Sequence, residues 1–324
     1  MRTLLRVHVV LVSLSFSVVP SFCQTNAHHS LLRDILKHNS QATAVHNLAP
    51  SSAVAKSAAP AKVYRYTTTD YPGAAGSLVF DANTSTQVGA YVFNDTGNEN
   101  AFTLAGGVYR TLAVPGAVGG SIATGINSTG QIVGAYTDIN GNEHGFLDSA
   151  GVFTTIDDPN AVGLTNVFEI NAGGVMVGGY RDSGQVEHGF TDNGGTFTTI
   201  DFPGAVITIC AGIDTAGDIV GEWDDATTEH GFMMTVGGIF TSLDFPLAIN
   251  TVAIGINDSG EVAGYYQDAS LVNHGFIYAD GTYTSVDVPG GSGTELTRIT
   301  NQGAITGLYL DSSSANESHG IRGH

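Results

Sequence analysis

The sequence predicts an all-β, six-bladed β-propeller of four-stranded antiparallel blades, its ring closed by pairing of the first strand with the last blade. Three observations carry this prediction. A phrase beginning His-Gly-Phe recurs at His144, His188, His230 and His274, with degenerate copies at Asn100 and His319, at intervals of 42 to 45 residues. Each unit divides into four strand-like pieces. The two ends of the repeat region are complementary fragments of one unit. A period of about 40–50 residues with four strands is that of a propeller blade.

The fifth unit shows the elements in order. "NTVAIGIN" reads as strand a, "DSG" as a turn and "EVAGYYQ" as strand b. "DASLVN" is a loop, and "HGFIYA" is strand c. "DG" marks a tight hairpin, "TYTSVDV" is strand d, and the Pro of "PGG" ends the ladder. The pieces have ordinary strand lengths, and no stretch of useful length in the repeats has helical periodicity. Blades stack face to face, which accounts for strands such as "IVGAY" with few charges on either side. The region opens on "YRYTTTDYPGA", a strand d without a, b or c, and closes on "SHGIRGH", a strand c without d. Pairing them closes the ring and buries two edges that would otherwise invite aggregation. An open solenoid would want polar caps instead.

The remaining chain divides into two further segments. Residues 1–23 read as a secretory signal peptide: a basic "MRTLLR", an apolar "VHVVLVSLSFSVV" too short to span a bilayer, then small residues near Cys23. "PSF" before Cys23 fits a lipoprotein signal poorly, so cleavage without lipidation is the expectation. Residues 24–62 form an Ala/Ser/Pro-rich tether; within it "SLLRDILKH" reads as a short helix. The propeller spans residues 63–324. No second segment is apolar enough to cross a membrane. The expected location is secreted, extracellular or periplasmic, and the expected state is a monomer.

Glycine is abundant, at 43 of 324 residues, as many tight turns require. From residue 63 on there are five Arg, no Lys and 29 Asp or Glu, a formal charge of −24. Nucleic acid and anionic lipid are poor partners for such a surface; neutral sugars, cations and basic partners stay open, and a solvated acidic surface that keeps the protein soluble is the default reading. Once the signal leaves, Cys210 stands alone in the apolar "AVITICAGID", so it reads as a small buried hydrophobe.

The repeated pattern G-I-N-x-x-G-x-x-x-G-x-Y, then H-[AG]-F, then D-x-P, from about Thr67 to His319, resembles the bacterial extracellular HAF-repeat family. The resemblance implies export and a repeat fold; it implies no reaction and no catalytic residues.

The repeated polar residues read as joinery. His144, His188, His230, His274 and His319 each open a strand c, and corresponding residues on separate blades are too far apart to share one ion with bonds of about 2.0–2.1 Å. Asp70, Asp157, Asp201, Asp244 and Asp287, with Val114 at that point of the second copy, suit the turn before Pro. The glycine turns are not phosphate loops, since no helix follows them.

Function is therefore expected where copies differ. The residue before Ile in strand a is Gly125, Gly212 and Gly255 in three units but Glu169 and Arg298 in two. These two belong to opposite blades and should line the channel. Glu295 lies near the start of the last strand a. The d–a connections and b–c loops are expected to share the face that carries the ligand site. There Trp223, Tyr136, Tyr180, Tyr265, Tyr266 and Tyr309 end strand b, where rings can stack on sugars. No metal or other cofactor is the primary expectation; the weaker alternative is Ca²⁺ on Asp138, Asp182, Asp224 and Asp268, with no calcium-loop spacing to support it. The leading reading is a binding or interaction module for a glycan or protein, without catalysis. One alternative is a carbohydrate-active hydrolase or lyase with Glu169 as its acid; another is a structural cell-surface or matrix protein.

Overall fold

The computed structural model describes residues 64–93, 98–311 and 318–324. The signal peptide, Cys23 and the tether lie outside the described residues. Among those described, twenty-four strands form six separate four-stranded antiparallel sheets. These are the six blades of a propeller. Strand a of blades one to six spans Gly76–Ala82, Gly120–Ile126, Thr165–Ile170, Ile207–Ile213, Asn250–Ile256 and Gly291–Ile299. Five blades run a-b-c-d in chain order. The sixth takes its strand d from the start of the repeat region: Tyr66–Thr69 pairs with Ser318–Gly323, Thr68 opposite Ile321. No helix among the described residues is long and apolar enough to cross a membrane.

Each conserved-looking word of the repeat has a packing reason. In "HGF", Phe102, Phe146, Phe190, Phe232 and Phe276 are at most 1% exposed. Each such ring contributes roughly 1.5–3 kcal/mol by leaving water. The rings lie over the strand-b glycines Gly89, Gly134, Gly178, Gly221 and Gly264. A Cβ there would sit 1.9–2.0 Å from a strand-a carbonyl and 2.7–3.0 Å from the ring, so no side chain fits. The Gly of "HGF" meets the next blade instead: a Cβ on Gly189 would lie 2.6 Å from the Cys210 sulfur. Cys210 is a free, fully buried thiol in this inter-blade core, and burial raises its pKa.

The Asn of "GIN" ties blades together. Asn83 Nδ2 donates to the Asn127 carbonyl at 3.1 Å, Asn127 Nδ2 to the Asn171 carbonyl at 3.2 Å, and Asn171 Nδ2 to the Asp214 carbonyl at 3.0 Å. Asn257 repeats the bond to Thr300 at 3.1 Å. Meanwhile the Asn171 Oδ1 accepts the Gly173 and Val175 amides, fixing its own a–b turn. Asn171→Ala should therefore lose the turn and the tie to the Asp214 carbonyl, which keeps only the Gly217 amide at 3.3 Å. The expected cost is about 2 kcal/mol in denaturant unfolding; a change under a few tenths would refute the tie.

The His and Asp of the phrase meet within each blade. His144, His188, His230 and His274 place Nδ1 2.9, 2.8, 2.7 and 3.1 Å from Asp157, Asp201, Asp244 and Asp287. His319 makes the same bond to Asp70 at 3.0 Å across 249 residues of sequence, so the closing blade reproduces the contact of the others. The second copy needs a correction. In register its Asp position is held by Ala113, and Val114 holds the next position, where Tyr71, Phe202 and Phe245 stand in other copies. Val114 is buried as an apolar wedge, so it is not an Asp replacement.

Candidate functional site

Every strand a carries a β-bulge at the same place. Register slips between Val79 and Asp81, Ala123 and Gly125, Val167 and Glu169, Cys210 and Gly212, Ala253 and Gly255, and Leu296 and Arg298. A bulge leaves one residue unpaired and re-aims the next. The re-aimed position forms a ring at one end of the channel: Asp81, Gly125, Glu169, Gly212, Gly255 and Arg298.

Three charges and three glycines at that level fit each other. Arg298 Nη2 is in direct contact with Glu169 Oε2, its Nε lies 3.4 Å from Asp81 Oδ1, and its Nη1 donates to the Ile254 carbonyl at 3.2 Å. The glycines make the room. A Cβ on Gly255 would stand 3.1 Å from Arg298 Cδ, one on Gly212 3.2 Å from its Nη1, and one on Gly125 3.0 Å from Glu169 Oε1. Asp81 also accepts the Ala82 amide at 2.7 Å and the Ile126 amide of the next blade at 2.8 Å. Glu169 Oε1 accepts the Ile170 amide at 2.8 Å. All three side chains are buried. Burial raises the pKa of Asp81 and, more strongly, of Glu169, and the Arg298 charge opposes it in both.

The cluster floors a cavity of about 310 Å³. Its rim is polar: Asn83, Ser128, Thr215, Asp258, Asn301 and Gln302 all line it. These residues belong to the a–b turns. The cavity thus opens at the end of the ring opposite the d–a connections and b–c loops, which corrects the face expected from sequence. The physical reason is position: Asp81, Glu169 and Arg298 are the next-to-last residues of their strands, beside the a–b turns.

Glu169 and Arg298 are brought together across the axis, as their opposite blades require. Asp81 is the member of this cluster that sequence reading missed. Its copy reads "FDANTSTQ" where others read "GINxxG", yet alignment of strand a alone puts Asp81 in the Gly column. Glu295 lies three residues before Arg298 and outside this cluster. It is 1% exposed, accepts the Asn273 amide at 2.7 Å, and leaves Oε2 without a hydrogen-bond partner. Burial pushes its pKa up to about 7 against the lowering bond from Asn273. Asn273 in turn accepts from Gln267 at 3.2 Å, so Glu295 belongs to a buried tie between blades five and six.

Trp223 is not an open platform. Its ring is stacked between Phe202 at 4.2 Å and His230 at 4.4 Å, which cover both faces. Tyr266 is likewise sandwiched between Phe245 and His274. The b–c loop acids hold their own turns. Asp138 Oδ1 accepts the Asn140 and Asn142 amides at 2.8 Å, and Asp182 and Asp268 repeat the pattern. Asp225, not Asp224, takes this loop position in blade four; Asp224 pairs in register with Glu229.

Against known proteins, no protein-family model and no curated protein sequence matches the chain. Solved structures do. AofleA from Arthrobotrys oligospora is 12% identical over 80% of this chain and 86% of its own, with a TM-score of 0.50. The likeness is one of fold. A virginiamycin B lyase from Staphylococcus aureus solved with quinupristin is 10% identical over 80% and 88%, TM-score 0.48. Aleuria aurantia lectin in complex with α-methyl-L-fucoside is 11% identical over 79% and 94%, TM-score 0.46. At such identities these likenesses bear on architecture alone.

Proposed function

We propose that this chain is an exported β-propeller binding module of the HAF-repeat type, and that its axial cavity holds a carbohydrate. The observation that carries the reading is the cavity itself: about 310 Å³, floored by a buried Asp81–Arg298–Glu169 cluster and rimmed by amides, hydroxyls and a carboxylate. That volume lies at the lower end of small-molecule sites, about 300–1,000 Å³. The Arg298 cation is already engaged by two carboxylates and a carbonyl, so it is spent as a receptor for anions. Rim groups that both donate and accept suit a neutral, hydroxyl-rich ligand. The formal charge of −24 from residue 63 onward points the same way, against phosphate-bearing ligands.

A catalytic reading has one supporting observation: two buried carboxylates flank one guanidinium, and the pKa of Glu169 is raised well above its usual value. Against it, Glu169 spends Oε1 on the Ile170 amide and Oε2 on Arg298, so the group acts as a brace.

The test is a glycan array followed by titration of the best ligand. Ser128 is an exposed rim residue, so Ser128→Trp should close the cavity without touching the core. Loss of binding in that variant supports the assignment. Retained affinity overturns it. Release of sugar products by wild type, abolished in Glu169→Gln, would establish the hydrolase or lyase reading in its place.

A further inference from the structure

The four complete His–Asp pairs on the opposite face contain an unresolved electrostatic arrangement. In each, His Nδ1 donates to the strand-d Asp at 2.7–3.1 Å, so that in the neutral ring the lone pair sits on Nε2. Facing that lone pair is a carboxylate oxygen of the b–c loop. The Nε2–Oδ2 separations are 3.5 Å for His144 and Asp138, 3.6 Å for His188 and Asp182, 3.7 Å for His230 and Asp225, and 3.5 Å for His274 and Asp268. Those distances are too long for a hydrogen bond. A neutral Nε2 and a carboxylate held at this range call for a positive charge between them, a proton or a metal ion.

We propose that each of these four pairs is a two-ligand site for a divalent transition-metal ion of the Zn²⁺ or Cu²⁺ class. Two ligands on one tetrahedral ion with bonds of about 2.0–2.1 Å stand about 3.3 Å apart, close to the separations observed. The pairs are also held in place before any ion arrives. The loop Asp spends Oδ1 on its own turn and turns Oδ2 toward the imidazole; in Asp138 that oxygen also accepts from Asn140 and Asn142 Nδ2 at 3.2 and 3.3 Å. The imidazole is stacked on Tyr136, Tyr180, Trp223 or Tyr266, at 4.4–5.2 Å between ring centres. The strand-d Asp is the outer carboxylate that orients a metal-ligating histidine. The imidazole side chains are 20–26% exposed, and the Nε2 of His230 is itself buried without a hydrogen-bond partner. Among the described residues no third His, Cys, Asp or Glu joins a pair, so water completes the shell. The first copy has Asn100 in place of His and lacks the site.

Equilibrium dialysis of the metal-free mature protein against ZnCl₂ at pH 7.5 tests this. The control is the quadruple variant Asp138→Asn, Asp182→Asn, Asp225→Asn, Asp268→Asn, whose side-chain carbonyls keep the turns. Wild type should bind four more equivalents than the variant, and His188→Gln one fewer than wild type. Equal stoichiometry in wild type and the quadruple variant overturns the proposal, provided both melt at the same temperature. So does a ¹⁵N spectrum of the metal-free protein showing these imidazoles doubly protonated at pH 7.5, because a proton then fills the gap. Ca²⁺ at the same concentration should not displace the zinc, since an imidazole ligand disfavours it.

Discussion

Glu295→Gln is expected to remove about 3 kcal/mol of pH-dependent instability between pH 4.5 and pH 8. The folded carboxyl titrates at about 7, against an ordinary value of 4.5, because burial disfavours its charge. The sign follows from that order. The raised group favours the fold fully below its unfolded pKa, and this contribution is lost as pH rises through about 7. A displacement of that size corresponds to roughly 3 kcal/mol at 1.36 kcal/mol per pH unit. Gln retains an acceptor for the Asn273 amide and cannot ionise. Its amide nitrogen takes the place of an oxygen that has no partner, so part of the gain is offset by an unmet donor. That offset does not depend on pH. The informative quantity is therefore the difference between variant and wild type in denaturant unfolding at the two pH values. Parallel pH profiles would show that Glu295 is solvated or paired in the native protein.

Arg298→Met is expected to be strongly destabilising at neutral pH. It leaves Asp81 and Glu169 buried beside each other with no compensating charge, and removing one partner of a buried ion pair costs about 3–5 kcal/mol. The loss should shrink as pH falls and the carboxyls take up protons. Neutralising the acids as well, in Arg298→Met with Asp81→Asn and Glu169→Gln, should recover most of the stability. A single Arg298→Met variant as stable as wild type would mean that the three charges do not form one unit. The double-variant combinations give the coupling directly, because these residues share a network and their effects do not add.

Much of this was legible in the sequence for a clear reason. Repetition reports packing that every blade must solve. Phe190 over Gly178 and the Asn171 tie are needed at each interface, so they appear in copy after copy. The axial pair was legible for the opposite reason. Glu169 and Arg298 interrupt a column of glycines, and a charge where three copies have no side chain needs space from somewhere. The neighbouring glycines supply that space, as the contacts of Gly212 and Gly255 show. Asp81 escaped because its turn is spelled differently, although its strand is not. The open end of the cavity escaped because the ligand face was assigned to the b–c loops, although Glu169 and Arg298 stand one residue before the end of strand a, beside the a–b turns. Trp223 misled for a third reason. Its covering ring, Phe202, comes from the connection out of the preceding blade, and sequence distance hides that contact. The partner of Glu295, Asn273, is likewise set by how two blades meet.

The phrase "EHGF" can now be read residue by residue. Glu143 accepts from Asn166 of the next blade at 2.9 Å, and Glu187 pairs with Arg181 within its own. The Gly admits the neighbouring blade, and the Phe fills the core. The His is held by an Asp on strand d. All four have partners in the scaffold, and the proposed carbohydrate site rests instead on the residues that vary around the axis.

The most direct test of that division is a side-by-side titration of the leading array glycan into three proteins: wild type, Ser128→Trp, and His188→Gln combined with His230→Gln. The account predicts loss of binding in Ser128→Trp and affinity within about twofold of wild type in the histidine variant, a difference below 0.5 kcal/mol. Full affinity in Ser128→Trp, with loss in the histidine variant, would contradict it and move the ligand site to the repeated phrase.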